Sequence, residues 1–289
     1  MEFYNEFNFL KGGVVYSDMV TTVSRRYAEE IQTPEYGAGL DGVFRRRAPE
    51  LKGILNGVDY RQWNPAKDGN IAAHYTPENL EGKAVCRKDL LHAFGAGTVQ
   101  ESTAVLGMVT RLTTQKGIDL LAEAVDALMR EDVVLTILGT GEEYYENLLR
   151  GLAERYPGRV LVRILYDETL AHKVKAGADM LLMPSRYEPC GLTQFHAMKY
   201  GTVPVVHGTG GLEDTVEEWN AEARTGTGFK FHGFDAENFV GAVRGALAVF
   251  REKAAWTAVM RNAMGKDFSW GKSAAEYVEV YERAVRGRL

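Results

Sequence analysis

From residue 104 onward, short continuous apolar runs alternate with stretches whose apolar residues recur every three or four positions. The run AVLGMV at 104–109 predicts a buried strand. Ile118, Leu121, Val125, Leu128 and Met129 then share one face of a helix. The run VVLTIL at 133–138 predicts a second strand, followed by Gly139-Thr140-Gly141 and a helix over 142–156. Further strands are predicted at 159–164, 180–183 and 203–206, with a short helix over 168–176 and Pro184 ending the fourth strand. Continuous apolar strands separated by helices imply a parallel sheet covered on both faces. Right-handed crossovers make this an α/β, doubly wound, Rossmann-like unit, which binds ligands beyond the carboxyl ends of its strands. The loops after 109, 138, 183 and 206 are therefore where chemistry is expected.

The first hundred residues do not fit that unit. Residues 14–24 read as the end of a helix and a strand, 33–53 as a loop rich in Gly, Arg and Pro, and Asn56-Gly57-Val58-Asp59 as a turn. After 235 come two helical stretches and a final one, in which Tyr277, Val280, Tyr281 and Ala284 form an apolar face.

Composition removes several function classes. The 289 residues are 45% hydrophobic and 25% charged, ordinary for a soluble globular protein. A net charge of -5 gives no sign of the basic surface of a nucleic-acid binder. Cys86 and Cys190 are too few for a disulfide framework, and the six scattered histidines have no metal-ligand spacing. No apolar run approaches the roughly 20 residues that span a bilayer, and MEFYNEFNFL lacks the basic start of a signal peptide. The expectation is a cytoplasmic protein with no metal and no cofactor, bound to neither nucleic acid nor membrane.

Three of the expected loops carry reactive side chains. Thr110 to Gly117 (TRLTTQKG) lies between a strand and a helix, and Arg111 and Lys116 within it offer a guanidinium and an ammonium to a diphosphate. The alternative is a solvated basic pair at a helix start, which the helix dipole opposes. Residues 184–194 (PSRYEPCGLTQ) follow the fourth strand. Glu188 can accept hydrogen bonds from sugar hydroxyls, and the amides near Gly191, Leu192 and Thr193 can hold a phosphate. Cys190 reads as a small buried apolar side chain. Residues 208–216 (GTGGLEDTV) follow the fifth strand, and a Gly-Gly loop alone is a weak signal.

Together, RLTTQKG at 111–117, PSRYEPCGLTQ at 184–194 and TGGLEDTV at 209–216 resemble the signature loops of bacterial glycogen synthases and plant starch synthases. ILNGVD at 54–59, DFSW at 267–270 and VVYSDMVTTVS at 14–24 agree with it. The resemblance implies a GT-B glycosyltransferase of two facing Rossmann-like domains. Its donor is ADP-glucose and its acceptor an α-1,4-glucan, elongated at the non-reducing end with retention. Residues 1–52 then correspond to a remnant of the N-terminal domain, 53–268 to the nucleotide-sugar domain and 269–289 to a helix packing back toward the former. By position, Arg111, Lys116 and Glu188 are the catalytic set. Asn56, Cys190, Gly191, Leu192, Thr193, Gly210, Gly211 and Thr215 are implied on the substrate. The family's Lys-Thr-Gly-Gly loop and its N-terminal-domain histidine are absent, Thr110 replaces a common Ser, and His196 stands where related enzymes carry a second Glu. The expectation is a chain lacking about one domain, weak or inactive alone unless that domain is supplied; the alternative is a non-catalytic ADP-glucose-binding fragment.

Overall fold

The computed structural model describes residues 1–3 and 5–287. The chain opens with a small hairpin of β1 (Glu2–Phe3) and β2 (Glu6–Phe7), then α1 (Phe9–Tyr16), which Asn8 caps by accepting the Lys11 amide at 2.8 Å. A parallel β-α-β unit follows: β3 (Val20–Thr22), α2 (Arg25–Glu30), α3 (Asp41–Arg46) and β4 (Leu51–Gly53). Its Leu40 and Val43 form a small core with Val14 of α1. The stretch 33–53 is thus a helix and a strand as well as loop. Its Arg-rich sequence hid a helix whose last-turn Arg45 and Arg46 suit the negative end of the dipole.

The helix α4 (Glu81–Phe94) closes on Gly95, whose φ of 73° is the left-handed cap that glycine adopts without strain. It packs on the large sheet through Leu90, Leu91 and Phe94, so the Rossmann-like unit starts before residue 100. Then β5 (Ala104–Val109), α5 (Ile118–Leu128), β6 (Val133–Gly139), α6 (Glu143–Arg155), β7 (Val160–Ile164) and α7 (Glu168–Gly177) alternate. The second half repeats the pattern with β8 (Met180–Met183), α8 (Thr193–Lys199), β9 (Val203–His207), α9 (Gly210–Thr215) and β10 (Phe229–Phe231).

The six strands lie in the order β10-β9-β8-β5-β6-β7, all parallel. Two apolar clusters, one on each face, bury this sheet, which is why its strands read as unbroken apolar runs. The five expected strands are present within a residue at each end; β10 is an addition too short to show a period. Because the chain runs outward from β5 to β7 and returns at β8 beside β5, the order reverses between β5 and β8. A crevice forms there, beyond their carboxyl ends.

Three helices finish the chain: α10 (Ala236–Arg251), α11 (Lys253–Met264) and α12 (Trp270–Arg286). The last is the expected amphipathic helix, with its apolar face only partly covered. Of its apolar residues Val280 is buried, while Tyr281 is 64% exposed and Val278 and Val285 also face outward. Two segments far apart in sequence meet at its start. Val58 pairs with Ser269, the Val58 amide donates to the Phe268 carbonyl at 2.7 Å, and Ser273 Oγ donates to the Leu55 carbonyl at 2.6 Å. No helix among the described residues is long and apolar enough to cross a membrane.

Candidate donor site

The crevice is built from the loops after β5 and β8. Lys116 ends a short 3-10 turn (Thr114–Lys116), and Gly117 follows with φ 69°. A methyl group on Gly117 would sit 1.9 Å from the Pro184 carbonyl oxygen, so only glycine lets the first loop lie against the second. The contact carries Lys116 to Glu188: Nζ lies 2.5 Å from Oε2, which also accepts Ser185 Oγ at 3.1 Å. The two side chains are 15% and 8% exposed. Burial at this depth requires a charge to be paired and hydrogen-bonded, and here both partners are. Arg111 stands at the rim, exposed, with Gln115 Oε1 at 3.3 Å as its hydrogen-bond partner.

Two cavities flank this point. A narrow cleft between the ends of β5 and β8 is lined by Thr110, Lys116, Ser185, Glu188 and Thr193. A wider one, about 280 Å³, opens over the ends of β5, β6 and β7 and is lined by Thr110, Arg111, Thr140, Tyr166, Glu168 and Lys175, among others. Thr110 belongs to both. At the cleft, α8 begins, and the described residues place no acceptor on the amides of Leu192 and Thr193. Free amides at a helix start favour anionic oxygens.

Other expected site residues also pack the loops together. Cys190 is buried beside Val58, Phe195 and Met198, and burial pushes its thiol up to about 11, against a hydrogen bond from the Asn56 backbone. A methyl group on Gly210 would lie 2.1 Å from the Glu188 carbonyl oxygen, and one on Gly211 2.1 Å from that of Cys190. The pair of glycines is explained by loop against loop. Thr215 is buried and donates to the Gly211 carbonyl at 2.6 Å.

Some residues of this region escape sequence reading. Glu30, at the end of α2, is buried and accepts from Thr209 Oγ1 at 3.1 Å and from the Gly210 amide at 3.0 Å. It clamps the Gly-Gly loop from the first β-α-β unit. Tyr166, an aromatic placed directly after β7, is 86% exposed at the mouth of the wider cavity. Behind that cavity the His172 and His196 rings lie parallel to the Trp63 indole, at 3.8 and 3.9 Å. His172 Nδ1 lies 2.6 Å from Asp68 Oδ2, which also accepts the Tyr200 hydroxyl. Burial, with the Lys175 charge adding to it, pushes His196 down to about 2, so it stacks as a neutral ring. Among the described residues no group of three or more His, Cys, Asp or Glu side chains is arranged to hold a metal ion.

The profile of "Glycosyl transferases group 1" matches residues 94–256, and that of "Starch synthase catalytic domain" matches residues 1–46. The glycogen synthase of Koribacter versatilis is 52% identical over 288 residues, which is 100% of this chain and 59% of that protein. The glycogen synthase of Thermotoga maritima is 50% identical over 99% of this chain and 59% of its own. The chain thus spans about three-fifths of the length of these relatives. Among solved structures, the catalytic domain of Arabidopsis thaliana starch synthase IV, bound to ADP and acarbose, superposes with a TM-score of 0.89 at 33% identity. The match covers 96% of this chain and 58% of that one. The sucrose-phosphate synthase of Thermosynechococcus elongatus shares the fold, with a TM-score of 0.66 at 19% identity over 96% of this chain and 61% of its own. With the crevice, its cation–carboxylate pair and a profile match across the whole sheet, the chain belongs to the group 1 glycosyl transferases.

Proposed function

We propose that this chain carries the donor site of a glycogen synthase/starch synthase-type glucosyltransferase. It takes glucose from ADP-glucose and adds it, with retention, to the non-reducing end of an α-1,4-glucan. The observation that carries the reading is the Lys116–Glu188 pair at the sheet's switch point, with a cavity on either side of Thr110. A diphosphate laid across Thr110 would meet Lys116, Arg111 and the amides of Leu192 and Thr193. The cleft itself, about 20 Å³, is too small for a hexose, so the sugar lies over its mouth within reach of Glu188, and the nucleoside in the wider cavity, where the exposed Tyr166 ring suits the face of a base. Fixed cations aimed at a leaving diphosphate stabilise the charge that grows as the glycosidic bond breaks, with no reorganisation during reaction. Glu188 holds the sugar hydroxyls while its ion pair keeps Lys116 in place.

On this reading residues 1–52 belong to the acceptor-side domain, 53–268 to the nucleotide-sugar domain, and 269–289 to a helix that returns toward the former. The separate small core shared by α1 and the first β-α-β unit, with the starch synthase match to residues 1–46, supports that division. Catalysis of this kind draws much of its rate from holding both substrates in a closed cleft.

The test incubates the protein with radiolabelled ADP-glucose and maltoheptaose, then digests the product with an α-1,4-specific glucosidase. Label in a longer, digestible oligosaccharide is the expected result. Labelled donor retained by the protein without transfer would favour a donor-binding fragment, and no retention at all would sink the reading.

A further inference from the structure

The wider cavity contains a group that the reaction as described does not use. Lys175, on α7, forms part of its wall, and the residue is 4% exposed. Among the described residues, its ammonium has no hydrogen-bond acceptor and no carboxylate within ion-pair distance. Its close neighbour is the Trp63 ring, 4.1 Å away. Burial pushes its pKa down to about 8. Lys83 shows what a structural lysine looks like in the same fold. It too is buried, but it donates to the Ala176 carbonyl at 3.0 Å, the Tyr200 carbonyl at 3.1 Å and Thr202 Oγ1 at 2.8 Å. Lys83 is fully accounted for by its surroundings; Lys175 is not.

An ammonium drawn largely out of water with only a ring face beside it is unfavourable, so Lys175, between the buried Val174 and Ala176 of α7, calls for a further partner. The partner must come from the cavity that the side chain borders. A second anion there is disfavoured, because Glu168 lines the same space, held by Gln62 Nε2 at 2.7 Å. A neutral heterocycle with an acceptor on its edge fits both groups, since an ammonium offers three donors and accepts nothing.

We propose that Lys175 reads the base of the donor nucleotide, donating a hydrogen bond to a ring nitrogen of adenine at the floor of the cavity. The inference rests on the donor-site reading above and adds to it the residue that selects the base. It also accounts for the otherwise unfavourable burial: the unpaired cation is the cost of a site that is complete only when occupied.

The experiment is calorimetric titration of wild type and Lys175→Met with ADP, with pyrophosphate and with the 1-, 3- and 7-deaza analogues of ADP. Methionine is unbranched, one atom shorter than lysine and uncharged, so the variant is expected to melt no lower than wild type. In wild type, one deaza analogue should bind about 10- to 100-fold more weakly than ADP, the range of a hydrogen bond to a charged group. Lys175→Met should lose a similar factor for ADP, no longer distinguish that analogue, and leave pyrophosphate binding unchanged. ADP binding equal to wild type in the variant overturns the inference while the donor site stands. Equal losses for ADP and pyrophosphate would also overturn it, because the effect would then be on the whole site. If wild type binds neither ADP nor pyrophosphate, the donor-site reading falls and takes this inference with it.

Discussion

Lys116→Ala is expected to cost the chain both stability and most of its nucleotide affinity, whereas Lys116→Ala combined with Glu188→Ala should regain stability without regaining affinity. The single change leaves the Glu188 carboxylate buried, with Ser185 Oγ as its remaining side-chain donor. Removing one partner of a buried pair costs about 3–5 kcal/mol, since the other charge stays desolvated. Removing both discards the desolvation cost along with the attraction. Affinity follows a different course, because a diphosphate needs the cation itself. Losing one charge-assisted contact is worth about 1.5–3 kcal/mol, or roughly 10- to 100-fold in binding. Thermal melts of the three proteins, with ADP titrations below the lowest melting temperature, separate the two effects. A double variant no more stable than the single one would mean that the pair does not account for the loss.

Gly117→Ala should be the most damaging single methyl in the site region. An L-residue at φ 69° costs about 1–2 kcal/mol, and relieving contact with the Pro184 carbonyl adds about 1–3 more. For a domain of this size the sum corresponds to a fall of about 5–15 °C in melting temperature. Gly151→Ala is the control. It lies inside α6 with open space where the methyl would go, and the same chemical change there should stabilise by about 0.5–1 kcal/mol. If the two variants melt alike, close approach of the loops is not what Gly117 provides.

These contrasts show where a linear sequence speaks and where it is silent. Strands β5 to β9 were legible because burial on both sheet faces writes them as unbroken apolar runs. The positions of Arg111, Lys116 and Glu188 at the crevice were legible because each follows such a run, at the strand end where this topology opens. α4 was not, because its apolar Leu90, Leu91 and Phe94 are set among charges, one of them the buried Lys83. The face of α12 was legible as apolar, yet Tyr281 and Val285 lie open to solvent, since a period reports amphipathicity and not what covers it. Glu30 and the Gly-Gly loop are 180 positions apart, and no local pattern announces their contact. Gly210, Gly211 and Cys190 were read as substrate neighbours on resemblance. Packing gives a sufficient reason for all three, because the loops touch through atoms that only glycine or a small buried side chain permits. Thr215 likewise has a packing role, through its bond to the Gly211 carbonyl.

The most direct measurement is calorimetric titration of ADP into the wild-type chain and into Arg111→Ala. Arg111 is exposed at the rim and makes one weak contact, to Gln115, so its removal should leave the melting temperature where it was. The predicted result is saturable one-to-one binding to wild type, weakened by roughly 10-fold or more in the variant, as expected for one lost charge-assisted contact. Equal affinity in both proteins, or no binding to wild type, would contradict a diphosphate site at the junction of β5 and β8.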